Sequence, residues 1–116
     1  MATFTEDESE LAPARVKELL DAGETQLVDV REGYEHEAGR IAGARHVDLE
    51  RLASEADSLE RDRPVVFYCR SGSRSAMATQ AFRASGWEAF NMAGGLLAWA
   101  GDGLPLEPED GEVAEH

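Results

Sequence analysis

At 116 residues, 42% of them hydrophobic, the chain can build one core but not two. Its 24 acidic side chains against 11 basic ones leave a formal charge of −13, which makes nucleic acid and anionic membrane surfaces poor partners. A single cysteine excludes an internal disulfide framework and fits a reducing compartment, and scattered histidines with one thiol fail the zinc-ligand patterns, so no metal is expected.

The N-terminus, Met-Ala-Thr-Phe-Thr-Glu-Asp-Glu, has neither the basic nor the apolar region of a secretion signal, and a cytoplasmic location is expected. Pro13 to Ala22 reads as a helix, with proline at a tolerated first position, Val16, Leu19 and Leu20 on one face, and Gly23 as the stop. Gln26 to Val30 reads as a strand. Gly33 to Gly43, with Tyr34, His36 and Arg40, reads as a turn-rich connection in which His36 is a surface residue, and Arg45 to Val47 as a short strand. Asp48 is placed to cap a helix whose Leu49, Leu52, Ala53, Ala56 and Leu59 keep helical spacing.

Val65 to Tyr68 is continuously apolar, as expected of a central parallel strand covered on both faces. Ser73 to Ser85 turns helical, with Met77, Ala78, Ala81 and Phe82 on one side, Thr79, Gln80 and Arg83 on the other, and Gly86 at the end. Ala89 to Asn91 is a strand, and Gly94-Gly95-Leu96-Leu97-Ala98-Trp99 opens a last short helix, with Trp99 in the core and Trp87 partly exposed. The longest uncharged stretch, Ala89 to Gly101, is 13 residues and too short to span a bilayer. The tail, Glu107 to His116, carries one valine and one alanine as its apolar side chains and is expected to be mobile. Alternating strands and helices predict an α/β domain, with its reactive crevice beyond the carboxyl ends of the strands.

Cys69 falls at one of those ends. The segment after it, Arg70-Ser71-Gly72-Ser73-Arg74-Ser75, offers small residues whose amides can curl toward the sulfur, two arginines, and a helix starting near Ser73. Each of these favours an anion, so Cys69 is expected to titrate below the ordinary thiol value of about 8.5 and to act as a nucleophile. The competing reading is a small buried apolar residue.

Four motifs in order resemble the rhodanese family. They are Leu27-Val28-Asp29-Val30-Arg31-Glu32, Gly39-Arg40-Ile41-Ala42-Gly43-Ala44, Cys69 to Ser75, and Gly94 to Trp99 with Leu104-Pro105. Arg40 stands where the family usually has histidine. The resemblance implies a rhodanese-like α/β fold, a small and mostly parallel central sheet with helices on both faces. It implies one domain over residues 1–106 and a tail over 107–116. It also implies a cofactor-free sulfurtransferase: Cys69 takes a sulfane sulfur from a small anionic donor such as thiosulfate, and a thiol, a protein acceptor or cyanide removes it. Arg70, Ser71, Gly72, Ser73 and Arg74 would hold the sulfur and the donor, with Arg70 facing the opening. Asp29, Arg31, Gly94 and Gly95 would support them.

Two other functions fit the same loop. One is a sulfur relay or interaction module that acts only with a protein partner. The other is a cysteine-dependent phosphatase or arsenate reductase, whose signature places five residues between cysteine and arginine. Here four separate Cys69 from Arg74, and Ser75 takes the phosphatase arginine's place. The acidic surface with Lys17 as its one lysine further suggests a halophilic host, in which dense counterions screen self-repulsion.

Overall fold

A computed structural model describes residues 8–116. Five strands, β1 (Glu10–Leu11), β2 (Gln26–Asp29), β3 (Arg45–His46), β4 (Val65–Tyr68) and β5 (Ala89–Met92), form one sheet in the order β1-β5-β4-β2-β3. Every pairing is parallel. Four helices accompany them: α1 (Pro13–Asp21), α2 (Gly33–Ala38), α3 (Ser73–Ala84) and α4 (Gly95–Gly101).

The all-apolar β4, Val65–Tyr68, follows from cover on both sides. Successive side chains of a strand point to opposite faces. In β4, Val65 and Phe67 join one buried cluster, with Ala78, Phe82 and Trp87, while Val66 and Tyr68 join the other, with Val16, Leu19, Leu96 and Trp99. Helix α3 therefore covers one face, and α1 with α4 the other. Phe67, Phe82 and Trp87 meet ring to ring at 4.9 and 5.0 Å, contacts worth about 0.5–1.5 kcal/mol each beyond their burial.

Four local expectations are corrected. Gly33 to Ala38 is a helix rather than a turn-rich connection, and Glu32 and Glu35 form a reciprocal capping box at its start. The helix expected from Leu49 to Leu59 is instead two short 3-10 turns, Leu49–Arg51 and Ala56–Ser58. Asp48 does cap the first, accepting from Arg51 N, and Leu52 and Leu59 are still buried. Helix α3 is rotated from the expected face: Ser75, Ala78, Thr79 and Phe82 are buried, and Met77 is exposed. Thr79 tolerates the interior because its hydroxyl donates to the Ser75 carbonyl at 2.9 Å. Trp87 is buried, under the Arg61 guanidinium at 5.0 Å.

The tail makes contacts with the domain. Glu107 and Arg40 exchange two backbone hydrogen bonds, Glu112 N donates to Ala38 O at 2.8 Å, and Val113 packs against the core. Backbone pairing anchors a segment whose side chains have little to bury.

Candidate active site

The register sets the site. Parallel pairing places Tyr68 beside Asp29 and Asp29 beside His46, so the carboxyl ends of β4, β2 and β3 lie level. Cys69 follows at the end of β4, fully buried. The chain then turns through Gly72 at φ 104°, a left-handed conformation that favours glycine, and enters α3.

That turn aims backbone donors at the sulfur. Gly72 N lies 3.1 Å from Cys69 Sγ, and the amides of Arg74 and Ser75 in the first helical turn bond to it as well. These are among the N–H groups that a helix start leaves without an internal partner. The Ser75 hydroxyl lies 3.4 Å from Sγ and 3.3 Å from the Gly72 carbonyl, so its one proton has either acceptor. Burial pushes the Cys69 thiol up, but the Ser75 hydroxyl and the amides of Ser75, Gly72 and Arg74 outweigh it, and the pKa is lowered overall.

A second layer turns the loop's carbonyls away from the sulfur. Cys69 O and Arg70 O accept from the amides of Leu96 and Leu97 at 2.9 and 3.0 Å. This close approach explains Gly95, where a Cβ would sit 2.5 Å from Arg70 O. Gly72 O accepts from Ala76 N and from Asn91 Nδ2 at 3.1 Å, and Asn91 Nδ2 also reaches the Glu10 carboxylate on the edge strand.

The two loop arginines have different tasks. Arg74 grips Glu35 through parallel hydrogen bonds of 2.8 and 2.9 Å. Burial raises the Glu35 pKa, but Arg74 and the backbone bond more than offset it and hold it below the usual range. Arg70 is partly buried, and its Nε donates to Ala114 O at 3.2 Å.

Beside the loop, Asp29 and Arg31 form a fully buried pair with contacts of 2.9 and 2.7 Å. Burial opposes the charge on Asp29, yet Arg31 and His36 keep its pKa depressed. Arg31 also reaches Gly39 O at 2.7 Å, while its Nη1 is buried without a partner. His36 is not the surface residue expected: its Nδ1 sits 2.8 Å from Asp29 Oδ2, and its ring stacks on His46 at 4.5 Å. His46 Nε2 in turn meets Arg31 O at 2.7 Å. Tyr68 OH accepts from Ile41 N, and burial raises its pKa far above the usual phenol value.

The expected site residues thus converge, with unequal roles. Gly72 and Arg74 contribute amides to the sulfur, whereas Ser71 and Ser73 are exposed and make no bond to it among the described residues. Gly95 and the helix it opens brace the loop from behind. Sequence reasoning missed Ser75, Glu35 and Asn91. Ser75 alone carried a local signal: as the third residue of α3 it lies where a helix start folds back over the preceding turn. A cavity of about 310 Å³ adjoins the loop, lined by Val30, Glu32, Asp48, Glu50, Arg74 and His116. Glu32, Glu35 and His116 each bring a possible metal-ligand atom within 4.8 Å of the others, but both Glu35 oxygens already accept from Arg74. Arg40 uses its place to pair with Glu107 at 3.5 Å. Among the described residues no helix is long and apolar enough to cross a membrane.

The chain resembles known proteins in sequence and in fold. The chain is 35% identical over 97 residues to the putative sulfurtransferase YtwF of Bacillus subtilis, covering 83% of this chain and 94% of that one. It is 42% identical over 77 residues to the uncharacterized protein YqhL of the same organism, covering 66% of this chain but spanning only 61% of that relative's length. A crystal structure of a rhodanese-related protein from Thermoplasma volcanium superposes with a TM-score of 0.78 at 28% identity, over 84% of this chain and 95% of that one. The family model for the rhodanese-like domain matches residues 12–102, from the start of α1 to the end of α4, and the chain belongs to that family.

Proposed function

We propose that the protein is a sulfurtransferase that carries sulfur as a persulfide on Cys69. The observation that carries this reading is the sulfur itself, a buried thiol with a lowered pKa held by three amides and a hydroxyl. Such a cradle stabilises negative charge with dipoles already in place. The thiolate attacks the outer sulfur of an anionic donor such as thiosulfate. A new S–S bond forms to Cys69, the donor's S–S bond breaks, and its electron pair leaves with sulfite. An acceptor thiolate or cyanide then attacks the outer persulfide sulfur and releases the Cys69 thiolate. Two half-reactions with a covalent intermediate give ping-pong kinetics.

Arg74 supports this reading over phosphoryl transfer. Both prongs of its guanidinium are engaged by Glu35, so it has no fork to offer a phosphate, and Ser75 places a short hydroxyl where a phosphatase needs an arginine. Arg74 therefore fixes the loop and adds positive potential, and Arg70 is the arginine that meets the donor.

The test is intact mass after incubation with thiosulfate, followed by cyanide and a thiocyanate assay, with Cys69→Ser alongside. The expected result is a gain of one sulfur atom, discharged by cyanide and absent in the variant. No gain in folded, reduced protein overturns the thiosulfate assignment and favours sulfur delivered by a protein partner.

A further inference from the structure

The segment after Glu107 returns across the carboxyl ends of the strands and ends up touching both flanks of the Cys69 loop. Ala114 O accepts from Arg70 Nε at 3.2 Å, and Arg70 directly follows Cys69. Two residues on, His116 Nε2 lies 3.3 Å from Glu32 Oε2 and lines the same 310 Å³ cavity as Arg74, whose amide bonds to the sulfur. Between them, Glu115 O accepts from Tyr34 OH at 3.2 Å. The segment thus bridges from the first arginine of the loop to the cavity beside the second.

Its anchors are graded along its length. The root is firm: paired backbone bonds between Arg40 and Glu107, the Glu112 amide on Ala38 O, and Val113 against the apolar cluster that includes Tyr68 and Ile41. Gly39 is part of that root, since a Cβ there would collide with the Glu112 backbone. The outer end is held by single contacts to part-exposed groups, each of which water can replace.

We propose that residues 114–116 are a strap that closes the mouth over the Cys69 cradle, hinged at Val113, and that the donor reaches Arg70 and the sulfur only when the strap swings aside. The inference rests on Cys69 being the reacting group. In the closed state a neutral carbonyl occupies the Arg70 donor that an anionic substrate requires. A charged acceptor bonds a guanidinium more strongly than a neutral carbonyl does, so the donor anion itself competes the strap off. Glu115, within the strap itself, adds negative charge there, which disfavours anions that cannot make that exchange.

The test is the rate at which iodoacetamide alkylates Cys69 in the 116-residue chain, followed by intact mass. The thiolate displaces iodide and needs no sulfur donor, so the readout is independent of sulfur transfer. One variant combines Tyr34→Phe with His116→Ala, removing two outer tethers without touching the core or the loop. A second, Val113→Asp, releases the hinge. The expected result is alkylation at least about fivefold faster in both, with an unchanged pH inflection. Rates within twofold of the parent in either variant, with a native melting transition, overturn the strap. Failure of thiosulfate loading together with faster alkylation would instead sink the donor assignment and leave the strap standing.

Discussion

Arg74 and Glu35 lie 39 positions apart in the chain and meet through two parallel hydrogen bonds, with the carboxylate fully buried and the Arg74 side chain 16% exposed. Helix α2 is thereby tied to the first turn of α3, the turn whose amides hold the Cys69 sulfur. Removing one member of such a pair leaves the other charge without a partner in a dry place. Glu35→Ala should therefore cost about 3 kcal/mol of stability, read from the urea midpoint. Arg74→Lys keeps the charge but loses the fork, and should lower sulfur loading about tenfold, equivalent to about 1.4 kcal/mol. Unchanged loading in the lysine variant would show that the fork does not position the loop.

The pH profile of Cys69 follows from its lowered pKa. Alkylation should persist below the ordinary thiol range and fall only as pH drops through the depressed value. Ser75→Ala removes the hydroxyl that leads the stabilisation of the thiolate, and should move the inflection upward while Gly72 and Arg74 still donate. The sign for stability matches: a thiol depressed in the folded state stabilises the fold in full above its unfolded pKa, and that contribution is lost as pH falls through the folded one. An inflection that stays put in the Ser75 variant would assign the shift to the amides alone.

Acid should unfold the protein through Asp29 and Glu35. Both are depressed, so their contribution is complete above their ordinary values of 3.8 and 4.5 and disappears as pH falls through the lower folded ones. Asp29→Asn should flatten that acid limb. It should also cost about 3–5 kcal/mol at neutral pH, because Arg31 would be left buried with Nη1 already unpartnered. Urea unfolding at several pH values measures both effects.

Gly95→Ala separates backbone strain from collision. Gly95 and Gly103 both have positive φ, 62° and 78°, but a Cβ at 103 meets open space while one at 95 meets Arg70 O. Gly103→Ala should cost only the strain, about 1 kcal/mol, and leave Cys69 chemistry unchanged. Gly95→Ala should cost more and also slow sulfur loading. Equal effects from the two would mean that the approach of α4 to the loop is unimportant.

The charge of −13 predicts a salt response. If the acidic surface is an adaptation to a saline host, the thermal midpoint should climb with molar potassium chloride as self-repulsion is screened. Full stability in dilute buffer would remove the halophile reading.

Strand β4 was legible because a parallel strand covered on both faces is a short apolar run with few other uses, and β2 and β5 because turn-forming residues bound their apolar centres. The Cys69 loop was legible because its chemistry is local: thiol, small residues and helix start lie within seven positions. What stayed hidden depends on distance or on competition. Glu35 gives no sign of Arg74 until α2 packs against α3, and Asn91 finds Gly72 only through sheet order. Leu49 to Leu59 keeps helical spacing, yet Ser54 and Ser58 turn their hydroxyls onto the Arg51 and Glu55 carbonyls, and the chain breaks into tight turns. Thr79 looked polar and proved internal, because its hydroxyl is satisfied within its own helix.

The bond from Asn91 to both Gly72 and Glu10 has a consequence for a chain emerging from the ribosome. Gly72 O gains its Asn91 partner only when the edge strand at residue 10, the loop at 72 and the strand at 91 have come together, contacts that local folding cannot supply early. In an unfolded chain a cysteine is an ordinary thiol, mostly protonated at neutral pH and slow to react. On the role proposed for Cys69, the nucleophile belongs to the folded sheet and not to the unfolded chain.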